Sequence, residues 1–205
     1  MEDSFNTIAN TFEGLYKEKG SKFFAYAFPV QHENMVKTHV EALKKKHFDA
    51  RHHCYAYIIG ADKSKTRAND DGEPAHTAGT PILNQIRSSG LSNILIVVVR
   101  YFGGTKLGVP GLIAAYKLAS AAVLKEAIIV EQLVEESICI HTSFEAMNEG
   151  LKLVKQYQGN LLEQTFQDNH CEIIVNFRRS YIEQVKTKIK GLQVLGIKIS
   201  IVETS

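Results

Sequence analysis

Hydrophobic and polar positions recur along this chain in runs that predict elements over most of its length. Residues 22–30, rich in Phe and Tyr, predict a strand. Residues 33–46 carry Val36, Val40 and Leu43 at helical spacing and end on Lys44, Lys45 and Lys46. That basic last turn complements the helix dipole, and it also offers charge to a phosphate. Residues 51–60 read as a strand, whereas the polar stretch 61–74 reads as a loop. Thr80 and Pro81 suit the N-cap and first position of a helix that continues through Ile82, Leu83 and Ile86. Gly90 is placed to end it in a left-handed conformation. The unbroken run Ile94–Arg100 predicts a strand buried on both faces. A glycine-rich segment follows, then a helix from about residue 112 to 127.

The pattern resets near residues 128–133, which divides the chain into domains 1–131 and 132–205. The second half predicts a strand at 137–142, a helix at 145–157 and a strand at 160–166. A period-two strand through Cys171, Ile173, Val175 and Phe177 comes next, then a helix at 181–190. Leu195, Ile197, Ile199 and Ile201 alternate as a last strand. The order β-α-β-β-α-β is that of a ferredoxin-like domain, so the fold class is α+β.

Of the 205 residues, 44% are hydrophobic and 22% charged, enough apolar content to offset the chain entropy of folding. No apolar run approaches the roughly 18 residues of a membrane span. The first twenty residues show no secretory pattern, so a cytoplasmic protein with no membrane partner is expected. The net charge of +2 is too small for charge alone to indicate a polyanion partner. Residues 1–131 nevertheless hold 16 basic against 13 acidic groups, and the remainder 8 against 9, so any such preference belongs to the first domain. Cys54, Cys139 and Cys171, odd in number and widely spaced, read as free thiols in a reducing compartment.

Three stretches of the first domain are specialised. In residues 50–56 (ARHHCYA), strand geometry puts His52, Cys54 and Ala56 on one face. A His and a Cys together suggest a metal or a nucleophile. The spacing of a four-ligand zinc site is absent, so a buried Cys beside a hydrogen-bonded His is the plainer reading. Residues 69–79 (NDDGEPAHTAG) crowd Asp70, Asp71 and Glu73 near His76 and Thr77. They suit cation chelation or acid–base work, and equally a turn that caps the next helix. They do not match a calcium loop. In residues 100–112 (RYFGGTKLGVPGL) a strand opens through Tyr101, Gly103, Gly104, Lys106, Gly108 and Gly111 into a helix. Backbone N–H groups at such a junction collect anions, with Arg100 and Lys106 adding charge. Tight strand-to-helix packing accounts for the glycines equally well. Neither a Walker A loop nor a dinucleotide-binding loop is present.

Together, A-x-H-x-C-x-A at 50–56, D-D-G-E-P-x-x-T-A-G at 70–79 and V-V-R-Y-F-G-G-x-K-L-G-x-x-G-L at 98–112 resemble the signature of the IMPACT/YigZ family. The resemblance is strongest over the first 130 residues. It implies a β-α sandwich similar to the second domain of ribosomal protein S5, with the three stretches converging on one cleft. The C-terminal half resembles the extra domain of bacterial members, itself similar to the last domain of elongation factor G. Eukaryotic members are translational regulators with a different accessory domain, so their partner does not transfer. This chain departs from the family pattern at Pro110 and His76, where Gly is usual, and at Ala114, where Arg is common. Pro110 removes an N–H donor from the anion-binding junction.

The expected function is that of a non-enzymatic, translation-associated regulator binding RNA or a ribosome-associated protein, without cofactor or metal. The site residues are His52, Asp70, Asp71, Glu73, Thr77, Arg100, Tyr101, Gly103, Gly104, Lys106, Gly108 and Gly111. The alternative is an enzyme acting on a small phosphorylated or nucleotide substrate, with His52, Asp71 and Glu73 as acid–base or magnesium-binding groups. A pure protein-interaction module is a third reading.

Overall fold

A computed structural model of the chain describes residues 3–202. The elements run β1 (Ser4–Ile8), β2 (Phe12–Glu18), β3 (Ser21–Pro29), α1 (Glu33–Lys46), β4 (His52–Ile59), β5 (Lys65–Asn69), α2 (Gly79–Ser89), β6 (Ile94–Tyr101) and α3 (Gly108–Glu126). They continue with β7 (Ile129–Leu133), β8 (Glu135–Thr142), α4 (Met147–Gln156), β9 (Asn160–Gln167), β10 (His170–Arg178), α5 (Ile182–Val194) and β11 (Ile199–Val202). Over the described residues the fold is mixed α and β, with three sheets. It divides into two compact units, residues 5–132 and residues 133–202 with 3–4.

In the first unit an antiparallel sheet is ordered β2-β3-β6-β4-β5. Its centre is β6, the run of aliphatic side chains read from the sequence as doubly buried. Ile94, Ile96 and Val98 face α2 and α3, packing with Ile82, Ile86, Ala115 and Tyr116. Leu95, Val97 and Val99 face α1 on the other side, with Val36 and Leu43. Each such aliphatic side chain taken out of water contributes about 1.5–3 kcal/mol, so β6 anchors both layers. Strand β1 pairs with β7 in a separate two-stranded sheet.

Several local expectations are corrected. Residues 65–69, read as loop because they are polar, form β5, which pairs with β4 at the sheet edge where four of its five residues are exposed. Helix α2 starts at Gly79 and not after Thr80, placing Pro81 in its third position. Helix α3 starts at Gly108, four residues early, because Pro110 sits in the first turn, where its missing N–H interrupts no helical bond. Gly90 does close α2 in the left-handed region, at φ 73°.

In the second unit, β8, α4, β9, β10, α5 and β11 form a sheet ordered β11-β8-β10-β9, with α4 and α5 packed on one face. Period two in β10 buries Cys171, Ile173, Val175 and Phe177 against those helices. Helix α5 runs on to Val194, so Leu195 lies outside the final strand and is exposed.

Candidate functional site

The loop between β5 and α2 is built around Asp70. Its Oδ1 accepts the N–H of Ala78 at 3.0 Å and of Gly79 at 2.8 Å, and its Oδ2 accepts that of His76 at 2.9 Å. A carboxylate eight residues upstream of the N-cap position, Ala78, therefore does the capping expected of Thr80. Burial works to raise the Asp70 carboxyl, but these three N–H groups override it and hold it below the usual carboxylate range. The turn needs left-handed backbone at Asp71 (φ 41°), Gly72 (φ 86°) and His76 (φ 64°). It also needs no side chain at Gly79, where a Cβ would lie 2.5 Å from the Asn69 nitrogen.

Asp71 ties the same loop to β4. Its Oδ2 accepts the His53 N–H at 2.7 Å, its carbonyl oxygen accepts from His52 Nδ1 at 2.9 Å, and Lys44 lies 3.3 Å from its Oδ1. The carbonyl contact puts the His52 proton on Nδ1. Thr77 is buried and donates to the Pro74 carbonyl at 2.7 Å.

Glu73 turns inward. Its Oε1 accepts from Arg100 Nη1 at 2.7 Å and from the Tyr116 hydroxyl at 2.8 Å, with all three side chains buried. Cys54 Sγ lies 3.3 Å from that hydroxyl and 2.9 Å from the Asp70 carbonyl oxygen. Burial above all pushes the Cys54 thiol far up, outweighing the Tyr116 contact, so this cysteine is no nucleophile. Burial above all, with the Glu73 carboxylate beside it, likewise keeps the Tyr116 phenol protonated. Arg100 Nε is buried with no hydrogen-bond partner.

Beside this network opens a cleft of about 450 Å³. Arg51 and His52 line it from the start of β4, Glu73 and Pro74 from the acidic loop, and Arg100 and Phe102 from the end of β6. Lys106, Leu107, Gly108, Val109 and Leu112 line it from the start of α3. Three stretches distant in sequence thus share one concave surface. The N-terminus of α3 has no side-chain cap and no acidic residue in its first turn, so the Gly108 and Val109 N–H groups have no carbonyl within the helix.

Five of the residues singled out in the sequence line this cleft: His52, Glu73, Arg100, Lys106 and Gly108. Asp70, Asp71 and Thr77 stand behind it as scaffold. Gly103 serves packing, since a Cβ there would come 1.9 Å from the Gly20 carbonyl carbon. Gly104 has φ +87° with open space around it, and Gly111 packs on Leu107. Tyr101 stands apart from the cleft lining. It follows Arg100 on a strand and so faces the other side of the sheet, donating to Asp49 at 2.8 Å and lying 3.0 Å from His47 Nδ1. The sequence reading did not single out the other six lining residues, among them Arg51 and Phe102; Phe102 is 54% exposed, with the Arg100 guanidinium carbon 5.7 Å from its ring centroid. Its signal was present: the alternation that sets Tyr101 apart returns Phe102 to the face of Arg100.

The Impact N-terminal domain model matches residues 19–124 of this chain, a span that contains every residue lining the cleft. An IMPACT family member of Haemophilus influenzae is 33% identical over 176 residues, covering 83% of this chain and 84% of that one. The chain belongs to the IMPACT family. YigZ of Escherichia coli is 45% identical over 100 residues and YvyE of Bacillus subtilis 40% over 116. These two matches span 49% and 54% of the relatives' own length, about half. A crystal structure described as that of a hypothetical protein superposes over the whole chain, with a TM-score of 0.77 at 26% identity, and 99% of that chain is covered. Among the described residues no helix is long and apolar enough to cross a membrane.

Proposed function

We propose that this IMPACT family member is a non-enzymatic, cytoplasmic, translation-associated regulator that binds single-stranded RNA, on the ribosome or beside it, in the cleft of its first unit. The observation that carries this reading is the uncapped N-terminus of α3 opening onto the cleft between Lys106 and Arg100. A phosphate seated there takes the Gly108 and Val109 N–H groups, the positive end of a 19-residue helix and the Lys106 ammonium. Pro110 withholds one donor without closing the site. Arg100 holds its charge against Glu73 and contributes field and shape. Phe102 at the mouth offers a ring on which a base stacks, worth about 1–3 kcal/mol per base in single-strand binding.

The same geometry speaks against acid–base chemistry by Asp71 and Glu73. Glu73 is engaged by two buried donors, and the Asp71 carboxylate is engaged by the His53 N–H and Lys44. We further read the first unit as a β-α sandwich similar to the second domain of ribosomal protein S5. The second, by its element order and its β11-β8-β10-β9 sheet, reads as a ferredoxin-like domain similar to the last domain of elongation factor G. Those resemblances support a ribosomal setting by analogy.

Binding of single-stranded RNA, and co-sedimentation with ribosomes, across a salt series tests the proposal. Affinity should fall as salt rises, and Lys106→Ala should weaken binding and lower the salt slope by about one. Absence of binding at low salt would overturn it.

A further inference from the structure

The open face of the second sheet carries a cluster that the cleft does not use. His141 on β8 stands directly opposite Glu172 on β10, in register, while His170 precedes Glu172 by two residues and so shares its face. His141 Nε2 lies 2.8 Å and His170 Nε2 3.7 Å from the same oxygen, Glu172 Oε1. The two imidazole rings are 3.9 Å apart, centroid to centroid. One ligand atom from each of the three side chains lies within 4.8 Å of the others. All three side chains are about 30% exposed, and the two histidines line a surface depression.

We propose that His141, His170 and Glu172 form a binding site for a divalent transition-metal ion of the zinc class, independent of the reading of the cleft. Two imidazole nitrogens and one carboxylate are the donor set of an open zinc site, which keeps its fourth position for water or a ligand. Tetrahedral ligands at about 2.0–2.1 Å from such an ion lie about 3.3 Å from one another. The two nitrogen–oxygen separations, 2.8 and 3.7 Å, bracket that value, so small side-chain rotations suffice. Thr165 Oγ1, 3.5 Å from Glu172 Oε2 on the neighbouring strand, is placed to orient the carboxylate. Lys198 lines the same depression and opposes a cation, and the Glu172 charge compensates it. Imidazole nitrogens with a single carboxylate favour zinc-class ions over calcium or magnesium, which prefer oxygen ligands.

Titration of the full chain with Zn²⁺ near neutral pH should give one ion per chain. Affinity should drop at least about tenfold in His170→Gln and in Glu172→Gln, and hold in His32→Gln, an exposed histidine elsewhere. In the unmodified chain Zn²⁺ should shift the imidazole resonances of His141 and His170 together, a readout that stands if either variant fails to fold. Mg²⁺ at the same concentration should shift neither. The proposal falls if no stoichiometric binding occurs, if both variants bind as the parent does, or if the ion shifts other histidines or a cysteine instead.

Discussion

Glu73 and Arg100, 27 residues apart in sequence, meet through a 2.7 Å contact inside the first unit, and the oxygen they share also takes the Tyr116 hydroxyl. The pair locks the acidic loop onto the end of β6 and thereby sets one wall of the cleft. The Glu73 and Arg100 side chains are 3% and 8% exposed, so neither charge has water to fall back on. Glu73→Ala should cost about 3–5 kcal/mol in denaturant unfolding, because it strands a buried guanidinium. Replacing both partners by apolar residues of similar size should recover most of that loss. A double variant as unstable as the single one would contradict the pairing.

Asp70 gives the loop an acid limb. Its folded-state carboxyl is held below the ordinary value of 3.8, so the stability it contributes is complete above that value and is lost as pH falls through the lower folded one. Asp70→Ala should cost about 2 kcal/mol at neutral pH, the scale of a lost charged cap. It should also flatten the decline in melting temperature below about pH 4. An unchanged acid limb would remove Asp70 from this role.

His53 works over a higher pH range. Burial lowers its folded-state value below the ordinary 6.5, against the pull of Asp71, and its Nε2 is buried without a partner. The unfolded chain therefore binds the proton more readily, and stability falls as pH drops from 6.5 toward the folded value. His53 resonances followed by NMR should titrate below the ordinary histidine value of 6.5. Titration at or above the ordinary value would contradict the burial argument.

Adjacent glycines separate packing from conformation. Gly103→Ala drives a Cβ into the Gly20 backbone and should cost more than Gly104→Ala, which meets open space and carries only the left-handed penalty of about 1–2 kcal/mol. Equal losses would mean that the close approach to Gly20 yields freely.

Much of this was legible in the chain. The doubly buried run 94–99 placed the central strand, and period two in β10 placed the second core. The polar strand β5 was not legible, because its sheet-edge position leaves its side chains in water and its pairing comes from β4. The motifs located the cleft, but residue type alone did not separate lining from scaffold. Asp70 and Glu73 look alike in sequence, yet one caps a helix and the other neutralises a buried arginine. His170 and Glu172 share a strand face by spacing, but His141 carried no sequence signal toward them, since strand pairing joins it to Glu172 31 residues on.

The wall that Glu73 and Arg100 build matters because it faces the start of α3. The most direct measurement is amide NMR of the full chain titrated with a short single-stranded RNA, with inorganic phosphate as a second titrant. Both should shift the Gly108 and Val109 amides and the Arg100 Nε–H, the RNA should also shift the Phe102 ring, and added salt should reverse every change. Shifts confined to other surfaces, with the α3 N-terminus silent, would contradict phosphate capture in the cleft.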